Sequence, residues 1–582
     1  MKNKTPNFDK AIGEILEHLI PHKRVCTWKD KNPHCEGDFD IEEGDINFLK
    51  IFKVPPPNFC PTCRRMRRLT NMNFSRLFKR KCDVPGHDEM MISVLPEECP
   101  FPVYDYKYFI DDNFDAFSFG INYKDTDNPI KSLLSFRKKF PMPSFLNRDP
   151  SSINSEYSNG GRNLKNGYYV FACYETENAW YCAQLHKTRN IMDSLVITDS
   201  EFVYKSVFSN HLYKVFFAYF SINCTDSMFL FDCRNCTNCF GCVNLRNAKY
   251  CVYNKQFSKE EYEIFMSEVY PLTATKISSF EEKFWQLVKT LPMNGTRNVA
   301  SVDVFGVNIK NSKNLLDVID ANNSENVRHS DGVVLHKDSM DILFSGGSSS
   351  VIYMSTNIGS HSTRVKFSTS SKFCADCEFV FNSKNLNNCF MCFGLQNKSY
   401  CVFNKQYSPE EYFKIVDNIK TKMLGRGEYG DGLGLEFSAQ AYNFSIAHFA
   451  YPLNTKEINM LGGYEAKEPE TNVGNIEIIK YADLPQNIDE TPLDILEKAI
   501  LCEKSNRPFR ITASELQFYK AMKLPLPNIH PLLRIEKILK LVKTGKKYKA
   551  TCVKCGEKIE TVFDPEDKYI FYCEKCYQQE IY

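Results

Sequence analysis

The chain contains two nested internal duplications, and this feature restricts its possible folds more than any other. Residues 32–108 recur at 502–576, and residues 166–262 recur at 314–412. The copies differ mainly in which of the 24 cysteines they keep. A metal-binding cysteine depends on its partner ligands, whereas a packing cysteine can be exchanged for another small residue. Comparing the copies therefore separates predicted metal ligands from predicted packing residues.

Composition argues against a partner that is bound through the overall net charge, and it argues against disulfide bonds. The formal charge is only +2 over 582 residues, so a nucleic-acid or membrane partner would need a local patch. No apolar run reaches membrane-spanning length. The N-terminal pattern predicts an amphipathic helix rather than a secretory leader. We therefore expect a cytoplasmic protein without a membrane partner. There the cysteines are expected to be metal ligands or buried small hydrophobes.

Cysteine spacing predicts a metal site near the N-terminus. The run Cys-Pro-Thr-Cys at 60–63 can form a tight knuckle that offers two thiolates to one tetrahedral ion. The predicted ligands are Cys26, Cys35, Cys60 and Cys63. The C-terminal copy keeps Cys502 but carries Ser505, His530 and Leu533 at the other places. We predict that this copy has lost its metal.

The second module of each end shows the opposite pattern. Two C-x2-C pairs separated by 17 residues have the spacing of a zinc ribbon, with ligands Cys552, Cys555, Cys573 and Cys576. The N-terminal copy of this module keeps Cys82, followed by Pro85, Asp105 and Tyr108. Four thiolates leave no open coordination position, so we predict two structural zinc sites, one at each end of the chain.

Residues 32–64, and a decayed copy at 502–534, resemble a bacterial family of zinc-ribbon or treble-clef-like domains. The matching positions are Cys35, Phe39, Ile41, Asp45, Phe48, Pro57, Cys60, Pro61, Cys63 and Arg64. The sequence departs from that pattern at Asn32, where the leading cysteine would stand. Cys26 and His34 compete for the fourth ligand position. The whole chain is also similar to uncharacterised multi-cysteine proteins of small-genome bacteria, a resemblance that implies no known activity.

The inner duplication consists of twelve-residue rungs, beginning NGYYVFACYETE and NAWYCAQLHKTR. Small residues collect at rung positions 2, 5, 8 and 11, which suits the interior of a narrow β-solenoid. A coil of two rungs, with 24 residues and a wider core, is the main alternative. One rung, 326–339, carries two extra residues, and this alignment places His336 opposite His186. Helix-start signatures at Ser258 with Glu261 and at Ser408 with Glu411 predict a closing helix after each array.

Four cysteines in the first copy have a spacing that resembles an iron–sulfur ligand set. They are Cys233, Cys236, Cys239 and Cys242, spaced C-x2-C-x2-C-x2-C. The other copy carries Ser383, Leu386, Cys389 and Cys392 at these places. A cluster site would not tolerate this exchange, whereas a packed interior column would. We therefore predict that these cysteines fill space, while a further metal site in the first copy stays an alternative.

Two surfaces are candidates for a partner. The stretch 64–81 has eight cations and no acid, and its copy at 534–549 is also basic. The predicted nucleic-acid-binding residues are Arg64, Arg65, Arg67, Arg68, Arg76, Lys79, Arg80 and Lys81. The alternative is a solvated helix face. A column of aromatic residues could stack bases or sugars, or could pack internally: Tyr168, Trp180, Tyr204, Phe216 and Phe240.

Together these features predict a mainly β fold with two β-solenoids flanked by α+β zinc modules. The predicted segments are 1–110 and 501–582 for the zinc modules, 166–275 and 314–425 for the solenoids, and 111–165, 276–313 and 426–500 for connections. The expected function is a non-enzymatic, zinc-stabilised scaffold that binds RNA, DNA or a ribonucleoprotein. The alternatives are a protein-interaction scaffold and a glycan-acting enzyme; the enzyme would need a column of carboxylates, which the register lacks.

Overall fold

The computed structural model describes residues 4–124, 127–145, 151–469, 473–542 and 546–582. The described part is mainly β and contains two sheets of nine strands, paired in parallel except at one end of each sheet. The predicted mainly β class is confirmed. We refer to the sheet within 157–256 as the first sheet and to the sheet within 302–406 as the second sheet.

Within each sheet the strands are ordered as they occur along the chain. The first sheet contains Tyr157–Asn159, Arg162–Phe171, Tyr174–Met192, Leu195–Tyr204, Val207–Tyr219, Ile222–Phe231, Thr237–Val243, Lys249–Val252 and Lys255–Gln256. The second sheet contains Val302–Lys310, Lys313–Asn322, Glu325–Arg328, Asp331–Thr356, Thr363–Lys366, Ala375–Phe381, Lys384–Phe393, Gln396–Val402 and Lys405–Gln406.

Residues that pair between neighbouring strands are mostly twelve positions apart. Leu195 pairs with Val207 in the first sheet, and Cys377 pairs with Cys389 in the second. Between Asn163 and Tyr253 every third residue has a positive φ, from 45° to 68°. Asparagine, aspartate and glycine tolerate this left-handed conformation best, which explains the polar residues at rung positions 1 and 10.

The residue after each left-handed residue points into a buried interior. Val170, Cys182 and Val203 lie there and are at most 3% exposed. Ser206 shows why small polar residues also suit these positions, because its Oγ donates to the Tyr204 carbonyl at 3.3 Å and accepts from the Ala218 amide at 3.0 Å. Each such side chain joins two neighbouring strands while occupying little volume.

The structure corrects the predicted position of the two extra residues, which do not lie in 326–339. The Ile342 amide still bonds to Ser330 Oγ, twelve positions earlier. The spacing becomes thirteen where Ile352 bonds to Ser339, and again where Ser362 bonds to Ser349. The extra residues therefore lie in two glycine-containing stretches, 346–348 and 359–361, where Gly347 has φ +86°.

This shift in register also corrects the alignment of the two histidines. His186 is half-exposed on the outside of the first sheet, whereas His336 points into the interior of the second and is 1% exposed. The residue that matches Asp193 becomes Asp341, because the offset between the sheets is 148 before the first extra residue.

A helix follows each sheet, as the capping signatures predict. Lys259–Val269 begins after a capping box between Ser258 and Glu261. Pro409–Gly425 begins after the equivalent box between Ser408 and Glu411. Between the sheets lie Ala274–Thr290 and the short strand Pro292–Asn294, and after the second helix lie Ile446–Ala450 and Thr455–Met460.

The flanking regions are built from short helices and strands. The N-terminal region contains the helices Pro6–Glu17, Glu43–Phe52, Pro61–Leu69, Tyr106–Phe109 and Pro129–Lys139, and the strands His22–Val25, Asp38–Ile41, Phe78–Lys81, Met90–Ser93, Val103–Tyr104 and Met142–Pro143. The C-terminal region contains the helices Ala513–Ala521, Pro531–Val542 and Glu574–Ile581, and the strands Ile478–Lys480, Ala499–Leu501, Pro508–Phe509, Tyr548–Thr551, Lys558–Thr561 and Ile570–Tyr572.

One module from each end docks on the sheet that is more distant in sequence. We define the N-terminal docking module as 22–69 and the C-terminal docking module as 499–542. Arg64 Nε contacts Asp341 of the second sheet at 2.8 Å, and Arg534 Nη1 contacts Asp193 of the first sheet at 2.5 Å. These arginines are equivalent in the outer duplication, and these aspartates are equivalent in the inner one. The two ends are therefore docked crosswise by one repeated contact.

The aromatic column packs internally rather than forming an exposed stripe. Trp180 lies 5.6 Å from Phe518 of the C-terminal docking module, and Phe240 lies 5.1 Å from Phe280 of the helix Ala274–Thr290, between ring centroids. The column thus anchors flanking helices to the first sheet. Among the described residues, no helix is both long enough and apolar enough to cross a membrane.

Candidate metal centres

The structure brings the four predicted N-terminal ligands together. The Sγ atoms of Cys26, Cys35, Cys60 and Cys63 all lie within 4.8 Å of one another, and those of Cys35 and Cys60 are 3.9 Å apart. A tetrahedral zinc site with bonds near 2.3 Å places its sulfur atoms about 3.8 Å apart. His34 bonds instead to the Pro452 carbonyl through Nε2 at 2.8 Å. Cys26 is therefore the fourth member of this group.

Backbone amides point at these sulfur atoms. Cys60 is the N-cap of the helix Pro61–Leu69, and its Sγ accepts from the Cys63 amide at 3.5 Å. The Cys60 amide donates to Cys26 Sγ at 3.3 Å, and the Gly37 amide donates to Cys35 Sγ at 3.3 Å. Hydrogen bonds from Cys60 and Cys63 hold the pKa of Cys26 well below its usual range, and burial opposes this only in part. Cys26 thus favours the thiolate form that binds metal, whereas burial raises the pKa of Cys35 and the neighbouring thiols raise the pKa values of Cys60 and Cys63.

The second group has the same design at the C-terminus. The Sγ atoms of Cys552, Cys555, Cys573 and Cys576 lie within 4.8 Å of one another, with 3.7 Å between those of Cys555 and Cys573. Burial raises the pKa of Cys552, but hydrogen bonds from the amides of Cys573 and Cys555 more than offset it and bring that pKa to about 7. All members except Cys555 are buried. Both groups can hold a metal ion through four thiolates.

In the two degenerate copies, hydrogen bonds take the place of the missing sulfur ligands. Cys502 Sγ accepts from the His530 amide at 3.2 Å, and Cys82 Sγ accepts from the Asp105 amide at 3.3 Å. Tyr108 hydrogen-bonds through its hydroxyl to His87 Nδ1 at 2.9 Å. All three hydrogen bonds join groups of the protein to one another.

The cysteines of the sheet interiors do not gather in the same way. Among the described residues, only the two terminal groups bring three or more ligand atoms within 4.8 Å of one another. Cys233 Sγ donates to the Phe231 and Cys242 carbonyls, and Cys239 Sγ donates to the Thr237 and Ala248 carbonyls. Burial raises the pKa of Cys233, so this interior thiol stays protonated and able to donate, whereas hydrogen bonds from Cys224 and Cys233 lower the pKa of Cys236. The geometry supports packing over an iron–sulfur site.

Most of the predicted nucleic-acid-binding cations lie inside the protein. Six are buried: Arg64, Arg65, Arg67, Arg68, Arg76 and Arg80. Arg65 contacts Asp331 at 2.8 Å, and Arg76 contacts Glu468 at 2.9 Å. Lys79 and Lys81 are exposed on the strand Phe78–Lys81. In the matching C-terminal stretch Lys547 contacts Asp317, and Lys543 lies outside the described residues. Nucleic-acid binding stays a prediction, with two of the eight cations accessible for it.

A buried cluster of charges joins both ends of the chain to the second sheet. Asp317 contacts Arg65 from the N-terminal docking module, Lys547 from the C-terminal end, and His329 from its own sheet. His329 Nδ1 lies 2.5 Å from Asp317 and its Nε2 lies 3.4 Å from Asp45. Burial lowers the pKa of His329, but the two carboxylates raise it further, to about 9.

The charges around His329 predict that the free energy of unfolding decreases at alkaline pH. The unfolded histidine has a pKa near 6.5, so the folded state favours the proton. The contribution of His329 is complete below pH 6.5 and is lost as pH rises through about 9. We expect His329→Gln to destabilise the protein by about 3 kcal/mol more at pH 6 than above pH 9. Denaturant titrations across this range measure the difference, with His186→Gln as the exposed control. A pH-independent difference would contradict the prediction.

Sequence reasoning missed Asp193 and Asp341, the acids that receive the docking arginines. The available signal was a single carboxylate inside an otherwise apolar run, NIMDSLV and SMDILF. A charge in such a run needs a buried counter-charge from elsewhere in the chain.

Comparisons with known proteins add little to this geometry. No family model matches the chain, and no curated protein matches it. The solved structures include a putative acetyltransferase from Desulfovibrio desulfuricans G20 with 12% identity and a TM-score of 0.09. The match covers 40% of this chain and 64% of that one, so the chain spans just under two thirds of its length. A similarity this low carries no argument about fold or activity.

Proposed function

We infer that the protein is a zinc-stabilised repeat scaffold. In this proposal each parallel sheet is a β-solenoid whose turn is twelve residues long. Pairing at a spacing of twelve supports this turn length over 24. Four left-handed residues per twelve would give four short sides, and one side chain from each side would fill the interior. The helices after Ser258 and Ser408 would then cover one end of each solenoid.

The metal in this proposal is zinc, with a structural role at both ends. Four sulfur ligands suit zinc and leave no coordination position for substrate. The resemblance of residues 32–64 to zinc-ribbon or treble-clef-like domains agrees with this assignment. The expected metal content of the purified protein is two zinc ions per chain without iron, as measured by atomic emission.

The observation that carries the scaffold proposal is the repeated buried contact between a docking module and a sheet. Asp341 accepts from Arg64 and Arg68, and both partners of the Arg64 contact are at most 2% exposed. Such a pair fixes the orientation of two rigid parts, because its geometry is lost if either part rotates. The modules would therefore hold the two solenoids in one arrangement and present their outer faces.

The outer face of the first sheet favours a scaffold over a glycan-acting enzyme. Its exposed charges alternate, with Lys165 2.7 Å from Glu177 and Arg189 3.8 Å from Glu201. Glu177 and Glu201 are thus each neutralised by a neighbouring cation. Pairs of free carboxylates, which glycoside hydrolysis requires, do not form along this column.

Nucleic acid stays the leading partner class for this scaffold, through Lys79 and Lys81. We expect Lys79→Ala with Lys81→Ala to reduce retention of RNA or DNA by roughly three- to tenfold at low salt and the salt-dependence slope by about 2. Filter binding across a salt series measures both quantities. The matched control removes two exposed lysines of the sheets, Lys187 and Lys313. Unchanged or salt-insensitive retention would favour a protein partner instead.

A further inference from the structure

An arginine-lined cavity of about 90 Å³ lies beside the N-terminal docking module. The helix Pro61–Leu69 contributes Arg64, Arg67 and Arg68, and the helix Pro129–Lys139 contributes Arg137. The second sheet forms another wall, and the segment 431–440 forms the last. The cavity thus exists only where these parts of the chain are assembled.

Several guanidinium nitrogen atoms at this cavity have no hydrogen-bond partner. The unpartnered atoms are Nε and Nη1 of Arg67, Nε of Arg68 and Nη1 of Arg137. All three side chains are more than nine-tenths buried, with exposures of 8%, 4% and 5%. Aromatic rings support them from the side, with Arg67 4.3 Å from the Phe59 centroid and Arg137 3.9 Å from the Phe101 centroid. Rings stabilise a cation but do not accept its in-plane hydrogen bonds.

The local charge is unbalanced. Among the described residues that line the cavity, the charged ones are four arginines and Asp431. Asp341 lies behind the cavity and receives Arg64 and Arg68, while Asp431 accepts from the amide and side chain of Asn58 at 2.7 and 2.6 Å. Four cations therefore lie near these two carboxylates, and Glu436 of the segment 431–440 also acts on Arg67. Burying unpaired charge costs several kcal/mol, so native proteins supply such groups with a partner.

The equivalent position in the other docking module lacks this excess. Arg67 and Arg68 correspond to Lys537 and Ile538. Lys537 is exposed and contacts Glu281 at 3.0 Å. The arginine cavity is therefore a property of the N-terminal docking module and not of the duplicated fold, and Lys537 provides a matched control position.

We propose that this cavity binds a phosphate group, either as the free ion or as part of a small phosphate ester. Planar guanidinium groups bind phosphate oxygens through two parallel hydrogen bonds, and the anion would offset the excess positive charge. Side-chain amides of Asn382 and Gln440 line the same space and can donate to further oxygens, whereas the amide of Asn71 already donates to the Arg67 and Arg68 carbonyls. The volume corresponds to about six water-sized positions, which is room enough for the four oxygen atoms of one phosphate group.

Binding of phosphate to the full-length protein tests the proposal. Orthophosphate is expected to bind in isothermal titration calorimetry and to raise the thermal unfolding midpoint with increasing concentration. Arg67→Met keeps the side-chain length and removes the charge, so it is expected to weaken binding at least tenfold. Lys537→Met is expected to leave binding unchanged. Zinc content and circular dichroism verify that both variants are folded, and Arg137→Met replaces Arg67→Met if the latter does not fold.

Phenyl phosphate distinguishes the two forms of the ligand. Binding at least as tight as that of orthophosphate would assign the site to an ester, and binding of orthophosphate alone would assign it to the free ion. Failure of both compounds to bind, or equal binding by wild type and Arg67→Met, would overturn the proposal and leave a cavity filled by water.

Discussion

Replacing Cys63 with serine is expected to remove one of two zinc ions and to release the N-terminal docking module. Cys63 is fully buried and lies in the first turn of the helix that carries Arg64 and Arg68. Structural zinc binding contributes about 10–16 kcal/mol in isolated zinc modules, more than a small module can lose and stay folded. Atomic emission should show a fall from two zinc ions to one. Trp28 fluorescence and limited proteolysis should show loosening of this module.

The matched control is a serine at an interior cysteine. Cys239 lies in a sheet interior, and Ser227 occupies the equivalent position one strand earlier, where its Oγ accepts from the Cys239 amide at 3.0 Å. Cys239→Ser should therefore keep both zinc ions and lose little stability. Cys573→Ser should remove the C-terminal zinc ion and leave the fluorescence of Trp28 unchanged. Zinc loss from Cys239→Ser, or two zinc ions in Cys63→Ser, would contradict the division of the cysteines into ligands and packing residues.

Removal of the Asp341 carboxylate is expected to destabilise the docked arrangement by about 3–5 kcal/mol. Asp341 is fully buried and accepts from Arg64 at 2.8 Å and from Arg68 at 2.7 Å. Asp341→Ala would leave two buried guanidinium groups without their counter-charge, which costs more than the lost contact alone. Denaturant unfolding followed by Trp28 fluorescence measures the shift, because Trp28 lies in the module that would detach.

An exposed pair provides the comparison for this prediction. Asp376 contacts Arg364 at 2.6 Å on the outer face of the second sheet, where the arginine is 56% exposed. Asp376→Ala should cost at most about 1 kcal/mol, since solvent screens this pair. Asp193→Ala should loosen the C-terminal docking module in the same way as Asp341→Ala loosens the N-terminal one. Equal effects of Asp341→Ala and Asp376→Ala would show that docking does not depend on the buried pair.

The two groups of four cysteines were predictable because metal-binding chemistry imposes a local spacing. Cys60 with Cys63 and Cys552 with Cys555 form knuckles that sequence shows directly, and the duplication separated them from the interior cysteines. The capping residues Ser258 and Ser408 were equally predictable, because the start of a helix depends only on residues close to it in the sequence. Features that depend on residues close together in the sequence, such as cysteine knuckles and helix starts, were therefore predicted.

The placement of the arginines was not predictable by the same reasoning. Arg64 and Arg65 follow Cys63 in a stretch without acids, so the sequence suggests a solvated or phosphate-binding face. Their counter-charges lie more than 250 positions away, at Asp341 and Asp331, and only the packed structure brings them together. The predicted register of the second sheet was wrong for a related reason, because an alignment of similar rungs shows that two residues are extra but does not show which rungs contain them.

The crosswise docking has a consequence for how the chain is made. Arg64 precedes Asp341 by 277 positions, whereas Arg534 follows Asp193. At ordinary translation rates the N-terminal docking module leaves the ribosome roughly tens of seconds before its docking surface exists. Its C-terminal counterpart meets a surface that is already synthesised. We expect ribosome-bound chains that end before Val302 to resist protease at residues 22–69 only when zinc is supplied. In that case zinc stabilises the module until its docking surface has been synthesised.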